Sequence, residues 1–460
     1  MSNVVSPIAQ YPALSAASES ETIPEIGVAD TLAALFGIFL PTVAKGVIMR
    51  RPAMLAIAEA LDLDRRAIRG MQRIRDKYGS APVRLRIPGR SFAVVLDPQD
   101  VHRVLAESPD PFATATLEKT ATLAHFEPKN VLISRGAERA DRRHYNEQVL
   151  EAHRPIHQMA DQFVRIVESE AARLRADAWK QNRILNWKIF SDAWFRIVRR
   201  IIFGDAASED NELSSTMAKL RYRANWAYLL PQRRALREEL LTRIKTYMQR
   251  AEPNSLAGMM AHIPVTGQTA PEHQVPQWLF AFDAPGMTTF RSLALLASHP
   301  EQARAARQEI AARHSTQAQL LPFLRATVLE SLRLWPTSPL ILRESNSPTL
   351  WRNGVMPAKS SLIIFSPFFH RDDERLPFAN NFAPKLWMGN PPNQQTSALI
   401  PFSEGPATCP GRELVLLLTT MMISELLSGT KVRLENRERL APGKPLPATL
   451  NHFRLRFELK

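Results

Sequence analysis

The sequence holds a single cysteine, Cys409, among 460 residues. An intramolecular disulfide is therefore impossible, and so is any zinc or iron–sulfur site built from several cysteines. Glycine is scarce beside proline, 17 against 35, which predicts fixed turns and sharply bounded helices. Acidic residues are also short, with 45 Asp+Glu facing 59 Lys+Arg for a formal charge of +14. Such an excess suits an acidic partner, nucleic acid or an anionic membrane surface, and says nothing about fold. No basic segment is interleaved with aromatics as in nucleic-acid binders, so no nucleic-acid partner is expected. A membrane-spanning run is missing from the N-terminal region: the apolar stretch at residues 31–44 is shorter than the ~18 residues a spanning helix needs, and Pro41 interrupts it. Glu19, Glu21, Glu25 and Asp30 precede it, where a secretory signal carries cations. The stretch is expected to pack on the protein's own surface, with an interfacial membrane contact, peripheral at most, as the alternative. The chain is expected in the cytoplasm.

What is present is ordinary for a globular protein: 45% hydrophobic and 23% charged residues. Residues 1–26, rich in Ser, Ala and Glu, read as a flexible tail. Val83-Arg84-Leu85-Arg86-Ile87, a Pro88-Gly89 turn and Phe92-Ala93-Val94-Val95-Leu96 predict a β-hairpin. Residues 138–252 read as helical, and residues 278–298 as one apolar helix ended by His299-Pro300. A further helix is expected over 322–334, stopped by Pro336. Residues 335–408 read as loop-rich with short strands such as 361–365, before a last apolar helix from about Gly411 to Leu427. The fold class is mainly α with a minor β region (α+β). Residues 1–50 form the tail and apolar segment, and 51–460 one domain.

The lone cysteine lies in Pro401-Phe402-Ser403-Glu404-Gly405-Pro406-Ala407-Thr408-Cys409-Pro410-Gly411-Arg412. Gly405 and Gly411 permit turns that other residues resist, and the prolines stiffen the loop. A thiol just before a helix N-terminus sits among free N–H groups that favour a thiolate, suiting it to a metal ligand or a nucleophile. A buried cysteine acting as a small hydrophobe is the plainer alternative.

The string resembles the haem-ligating loop of the cytochrome P450 family, F-x-x-G-x-x-x-C-x-G, matched by Phe402, Gly405, Cys409 and Gly411. Glu330-Ser331-Leu332-Arg333 matches the family's E-x-x-R, among apolar neighbours that imply burial. The segment that supplies this pair's third, arginine partner is similar to His370-Arg371-Asp372 and Phe382-Ala383-Pro384-Lys385-Leu386-Trp387. Leu386 stands where the arginine is expected, so either another arginine such as Arg371 completes the network or the network is smaller.

The resemblance implies a triangular helical fold with small β-sheets and a haem b bound through the Cys409 thiolate, which donates electron density to iron. Arg139, Arg143 and Arg343 match positions that anchor haem propionates. The basic residue customary two places before the ligand is Ala407. Counting back from His299-Pro300 places the family's distal acid–alcohol pair on Asp283 and Ala284, so the acid is kept and the alcohol lost. Pro285 and Gly286 follow, and the helix is expected to open there. Asp283 then reads as a proton-delivery residue or as an acid capping the break, with Thr288 one turn on as a lesser candidate. Phe280, Phe282, Pro339, Leu340 and residues from 111 to 126 are expected to line an apolar pocket.

The resemblance implies a monooxygenase that hydroxylates an apolar small molecule, a fatty acid, terpenoid or similar lipid, with O2. Electrons would come from a separate acidic ferredoxin or flavodoxin, since no G-x-G-x-x-G is found. The missing alcohol keeps open a peroxygenase, isomerase or dehydratase that bypasses O2 activation. A haem sensor without turnover is the reading from another class.

Overall fold

The computed structural model describes residues 21–313, 317–389 and 397–460. Residues 1–20 of the expected tail lie outside them. Its final residues are not a tail: Ile23 and Ile26 are fully buried, and Thr22 and Glu25 form bridges with Val355 and Arg84. Burial of two isoleucines together with backbone pairing outweighs the polar composition around them.

Helical backbone follows without a break through Val28–Ala34, Leu35–Phe39 and Leu40–Ala44. Pro41 does not interrupt it: the proline follows directly on the π-helical stretch Leu35–Phe39, where the pairing has already departed from the regular i→i−4 ladder. Ala34 and Ile38 pack inward, Ile38 against Gly70 of the helix Leu63–Tyr78. Val28, Leu32, Phe36, Leu40 and Val43 face outward, with exposures between 42% and 64%.

The predicted hairpin forms as Val83–Ile87 and Arg90–Val94, turning at Pro88-Gly89 with Gly89 at φ +71°. It begins a five-stranded sheet continued by Ser361–Phe365, Leu340–Ser345 and Phe112–Ala113. Only the pairing of Arg90–Val94 with Ser361–Phe365 is parallel. This sheet and the N-terminal helices enclose one apolar core; the long helices enclose the other. Helices Gly136–Val149, Ala160–Lys180, Trp187–Phe203, Asn211–Ala224 and Arg234–Arg250 fill the stretch expected to be helical, broken by the strand Ile184–Asn186.

The apolar run at 278–298 is not one helix. It divides into Val275–Ala281 and Asp283–Ser298, with Phe282 between them. The opening therefore falls three residues before Pro285. Proline has no N–H for the carbonyl four residues back, Ala281, and its ring crowds that carbonyl, so the strain is released upstream of the ring. Trp194 Nε1 donates to the Phe282 carbonyl at 2.7 Å and holds the break in place. Gly286 leaves room for that indole, since a Cβ there would lie 2.9 Å from Trp194 Cδ1.

Candidate functional site

Behind the site, Glu330 and Arg333 are completely buried on the helix Pro322–Leu334 and joined at 2.7 and 2.8 Å. Arg333 also donates to the carbonyls of His370, Ala379 and Asn381. Glu330 accepts from the Ala383 N–H at 2.8 Å and from Trp387 Nε1 at 2.9 Å. Each buried charge is thus supplied with hydrogen bonds, the condition under which such a pair is tolerated. Arg371 does not complete the network. It turns away to the carbonyls of Pro447 and Leu446 and to Asn380 Oδ1. Trp387, the residue after Leu386, fills the place expected for an arginine: an indole N–H satisfies the carboxylate without adding another buried charge.

The cysteine loop closes on itself before the helix Arg412–Leu427. The Cys409 N–H donates to the Phe402 carbonyl at 3.0 Å, and the same carbonyl accepts from Thr408 Oγ1 at 3.3 Å. Gly405 has φ +68°, and a Cβ there would lie 2.3 Å from the Leu105 carbonyl oxygen. Gly411 has an ordinary φ of −90° and is the residue before the helix; its N–H is directed at the cysteine sulfur. Burial pushes the Cys409 thiol up, against the Gly411 N–H and the nearby Arg143 and Arg412 guanidiniums that favour the thiolate. Desolvation therefore prevails over the helix N-terminus, and a thiolate at this position calls for a bound cation.

Cys409 lines a cavity of about 400 Å³ together with Arg139, Arg143, Arg343, Phe402, Gly411, Asp283, Ala284 and Thr288. Gly405 is not on its wall; it shapes the loop from behind. Phe280, Phe282 and Leu340 line the cavity as expected, whereas Pro339 does not. Phe126 packs edge-on against Phe280, with centroids 5.7 Å apart.

Four cations of the cavity lining have no carboxylate within ion-pair distance among the described residues: Arg50, at another place in the wall, and the group Lys119, Arg139 and Arg343. Arg139 Nε reaches Thr114 Oγ1 at 3.2 Å, Arg343 Nε reaches Ser108 Oγ at 2.9 Å, and Lys119 Nζ bonds the Thr114 and Leu342 carbonyls. Burial followed by the charge of Arg343 and Arg139 lowers Lys119 well below the usual lysine range. Burial and Arg139 bring Arg343 down to about 10. Arg143 shares its guanidinium between Glu147 and the Thr408 carbonyl beside the cysteine. A cluster of desolvated cations without counter-charges is costly unless an anion completes it. The residues therefore fit a group that brings two carboxylates to this end and a metal cation to the sulfur, as a haem does.

Lys119 was not recognised from sequence. It sits in the first turn of the helix Leu117–Leu123, where a positive charge is disfavoured, and that anomaly is its only signal. On the opposite side, Asp283 is ion-paired with Arg221, which also donates to the Ile48 carbonyl. No side chain caps the helix Asp283–Ser298, so Asp283 is not a cap. Thr288 Oγ1 donates to the Ala284 carbonyl at 2.8 Å, and Thr289 likewise to Pro285. His370, another unforeseen member of the wall, accepts from the Ile400 N–H, and burial lowers it to about 3.

Several curated proteins are similar to part of this chain. The mouse mitochondrial 25-hydroxyvitamin D-1 alpha hydroxylase is 30% identical over 180 residues, 37% of this chain and 35% of that protein. Cyclooctat-9-en-7-ol 5-monooxygenase of Streptomyces melanosporofaciens is 30% identical over 187 residues, 38% and 41% respectively. The chain thus spans only about a third to two fifths of these relatives' length. The crystal structure of a cytochrome P450, CYP102L1, superimposes with a TM-score of 0.70 at 16% identity, covering 96% of this chain and 99% of that one. A retinoic-acid-bound cyanobacterial CYP120A1 gives 0.65 at 17%, covering 85% and 93%. The fold is therefore that of these proteins. A sequence model of cytochrome P450 matches residues 52–252 and 281–449, a span that holds the cationic wall, the buried Glu330–Arg333 pair and the Cys409 loop; the chain belongs to the cytochrome P450 family.

Proposed function

We propose that this chain is a monooxygenase with a haem b held by the Cys409 thiolate, inserting one oxygen atom from O2 into an apolar small molecule. The observation that carries the reading is Cys409 on the wall of the cavity that also gathers the counter-charge-free Lys119, Arg139 and Arg343. The haem would supply oxygen activation. Arg139, Arg343 and Lys119 would bind its propionates, with Arg143 steadying both the propionate side and the Thr408 carbonyl. Met287, Leu340, Ile341 and Phe280 line the cavity with apolar surface, suiting a terpenoid, fatty acid or similar lipid.

Proton supply on the distal side falls to the Asp283 carboxylate and the Thr288 hydroxyl. The ion pair with Arg221 fixes the Asp283 carboxylate in place on the cavity wall. Ala284 leaves room for an ordered water in place of the absent hydroxyl. That same absence favours a second reading, a haem-thiolate peroxygenase or isomerase that bypasses O2 activation.

Electrons would come from a separate acidic ferredoxin or flavodoxin, docking where the exposed Arg412 flanks the cysteine loop. A cytoplasmic location suits such a donor. Membrane contact would be peripheral, since no helix among the described residues is long and apolar enough to cross a bilayer.

The reduced, CO-bound absorption spectrum tests the core of the reading: a band at the thiolate position is expected, and its loss in Cys409→Ala. Substrate oxidation should require NAD(P)H and the electron donor. Equal turnover with peroxide alone would favour the second reading.

A further inference from the structure

The cationic wall is not the only charge in the cavity. Arg50 lines it at another place, beside Val47, Ile48, Asp283, Thr337 and Ser338. Its guanidinium bonds only to backbone: Nη1 to the Gly46 carbonyl at 2.9 Å and Nη2 to the Thr337 carbonyl at 2.5 Å. Among the described residues no carboxylate lies within ion-pair distance of it. The acids that act on its charge are committed elsewhere, Asp64 to Lys45 and Thr449, and Asp283 to Arg221. Arg291, itself buried and bonded only to the Trp335 and Leu450 carbonyls, lies close enough for the two positive charges to repel. This end of the cavity therefore carries more positive charge than its acids neutralise. Arg50 is not among the charges acting on Lys119, Arg139 or Arg343, so it stands apart from that group.

We propose that Arg50 is a specificity-determining residue that receives a carboxylate of the substrate, so that the substrate class is an apolar molecule bearing one acid group. An arginine fixed by two carbonyls keeps unused N–H donors in a set direction, and its planar fork matches a carboxylate with two bonds. Val47, Ile48 and Met287, in the same cavity lining, provide apolar surface for the rest of the molecule. A neutral alcohol in the same place would leave the guanidinium without a counter-charge, which is how a built polar site rejects an analogue lacking the matching group. The proposal rests on the reading of this cavity as a substrate pocket.

The test is equilibrium dialysis of the holoprotein at pH 7.5 with two matched pairs, dodecanoic acid with dodecan-1-ol and geranic acid with geraniol. At least one acid is expected to bind ten-fold or more tightly than its alcohol. Arg50→Leu should abolish that preference, and Arg50→Lys should keep part of it. Should Arg50→Leu fail to fold, Arg50→Lys and the wild-type pH profile decide: acid binding should weaken as pH falls through the ligand's own carboxylate range while alcohol binding stays level. Neither acid outbinding its alcohol, or a preference that survives Arg50→Leu, overturns the proposal. Dialysis reads binding without turnover, so an absent CO band would sink the monooxygenase reading and leave this result standing.

Discussion

Lys119 shows how a single side chain can work against the protein that carries it. With Arg139 and Arg343 close by and only the more distant charge of Glu118 to offset them, its ammonium is both desolvated and repelled. Lys119→Met should therefore raise the melting temperature of the haem-free protein while speeding haem loss several-fold. A variant that slowed haem loss would contradict the anchoring role. Gly405 is a contrasting case, where the backbone rather than a charge decides. Gly405→Ala would place a methyl 2.3 Å from the Leu105 carbonyl at a positive φ. It should cost ~1–3 kcal/mol of stability by denaturant titration, with a diminished CO band because the cysteine loop must shift. Within the loop, Gly405 was legible in sequence because a positive φ is a local demand, whereas Gly411, at φ −90°, answers none. Lys119 was not legible, because its meaning comes from Arg343, which joins it only through the fold.

Among the elements, the interrupted distal helix follows from a local rule with a tertiary outcome. Pro285 requires a break but does not say how wide, and Trp194, from a helix some ninety positions earlier, supplies the hydrogen bond that sets it. Trp194→Phe should lose ~1 kcal/mol by removing that bond. Gly286→Val should be worse, roughly 1–3 kcal/mol, because the side chain meets the indole. If both variants unfold at the wild-type denaturant midpoint, the indole does not secure the break. The Glu330–Arg333 pair is the opposite kind of element. Its spacing reads directly from the chain, and its burial follows from the apolar residues around it. The partner did not read directly: Trp387 rather than an arginine completes it, because an indole N–H meets a carboxylate as well as a guanidinium does at one bond.

At the scale of the whole molecule, burial has depressed a set of histidines in the same direction: His370 to about 3, His273 to about 4, and His452, His299, His157 and His125 below the ordinary value of 6.5. In each case the unfolded chain takes up protons at a pH where the folded protein refuses them. Stability attributable to these groups is complete above 6.5 and declines as pH falls, continuing to about 4 for His273 and about 3 for His370. The slope approaches roughly 1.4 kcal/mol per pH unit for each such histidine well below 6.5. Urea midpoints should therefore fall steadily from pH 7 to pH 5, and level midpoints over that interval would refute the burial of these imidazoles as neutral groups. The charge of +14 acts at the same scale. Reduction by an acidic electron donor should slow as salt rises, since exposed charges such as Arg412 are screened over about 10 Å at 0.1 M. A salt-independent rate would remove charge as the docking force.

Taken by itself, the sequence determined those features whose physical cause lies within a few residues of chain. The hairpin with its Pro88-Gly89 turn, the E-x-x-R pair, the Gly405 turn before Cys409 and the helix that follows the cysteine are all of this kind. Hydrophobic period, turn chemistry and capping operate over one or two turns, so they can be read from neighbours. The tertiary structure alone decided which cations lack counter-charges, which carboxylate Arg221 occupies, and that residues 21–26 pair with strands rather than trail away. Those outcomes depend on charges and carbonyls brought together from distant parts of the chain, and on the loss of water around them. Coulomb and desolvation energies are set by distance in space and not by separation along the sequence.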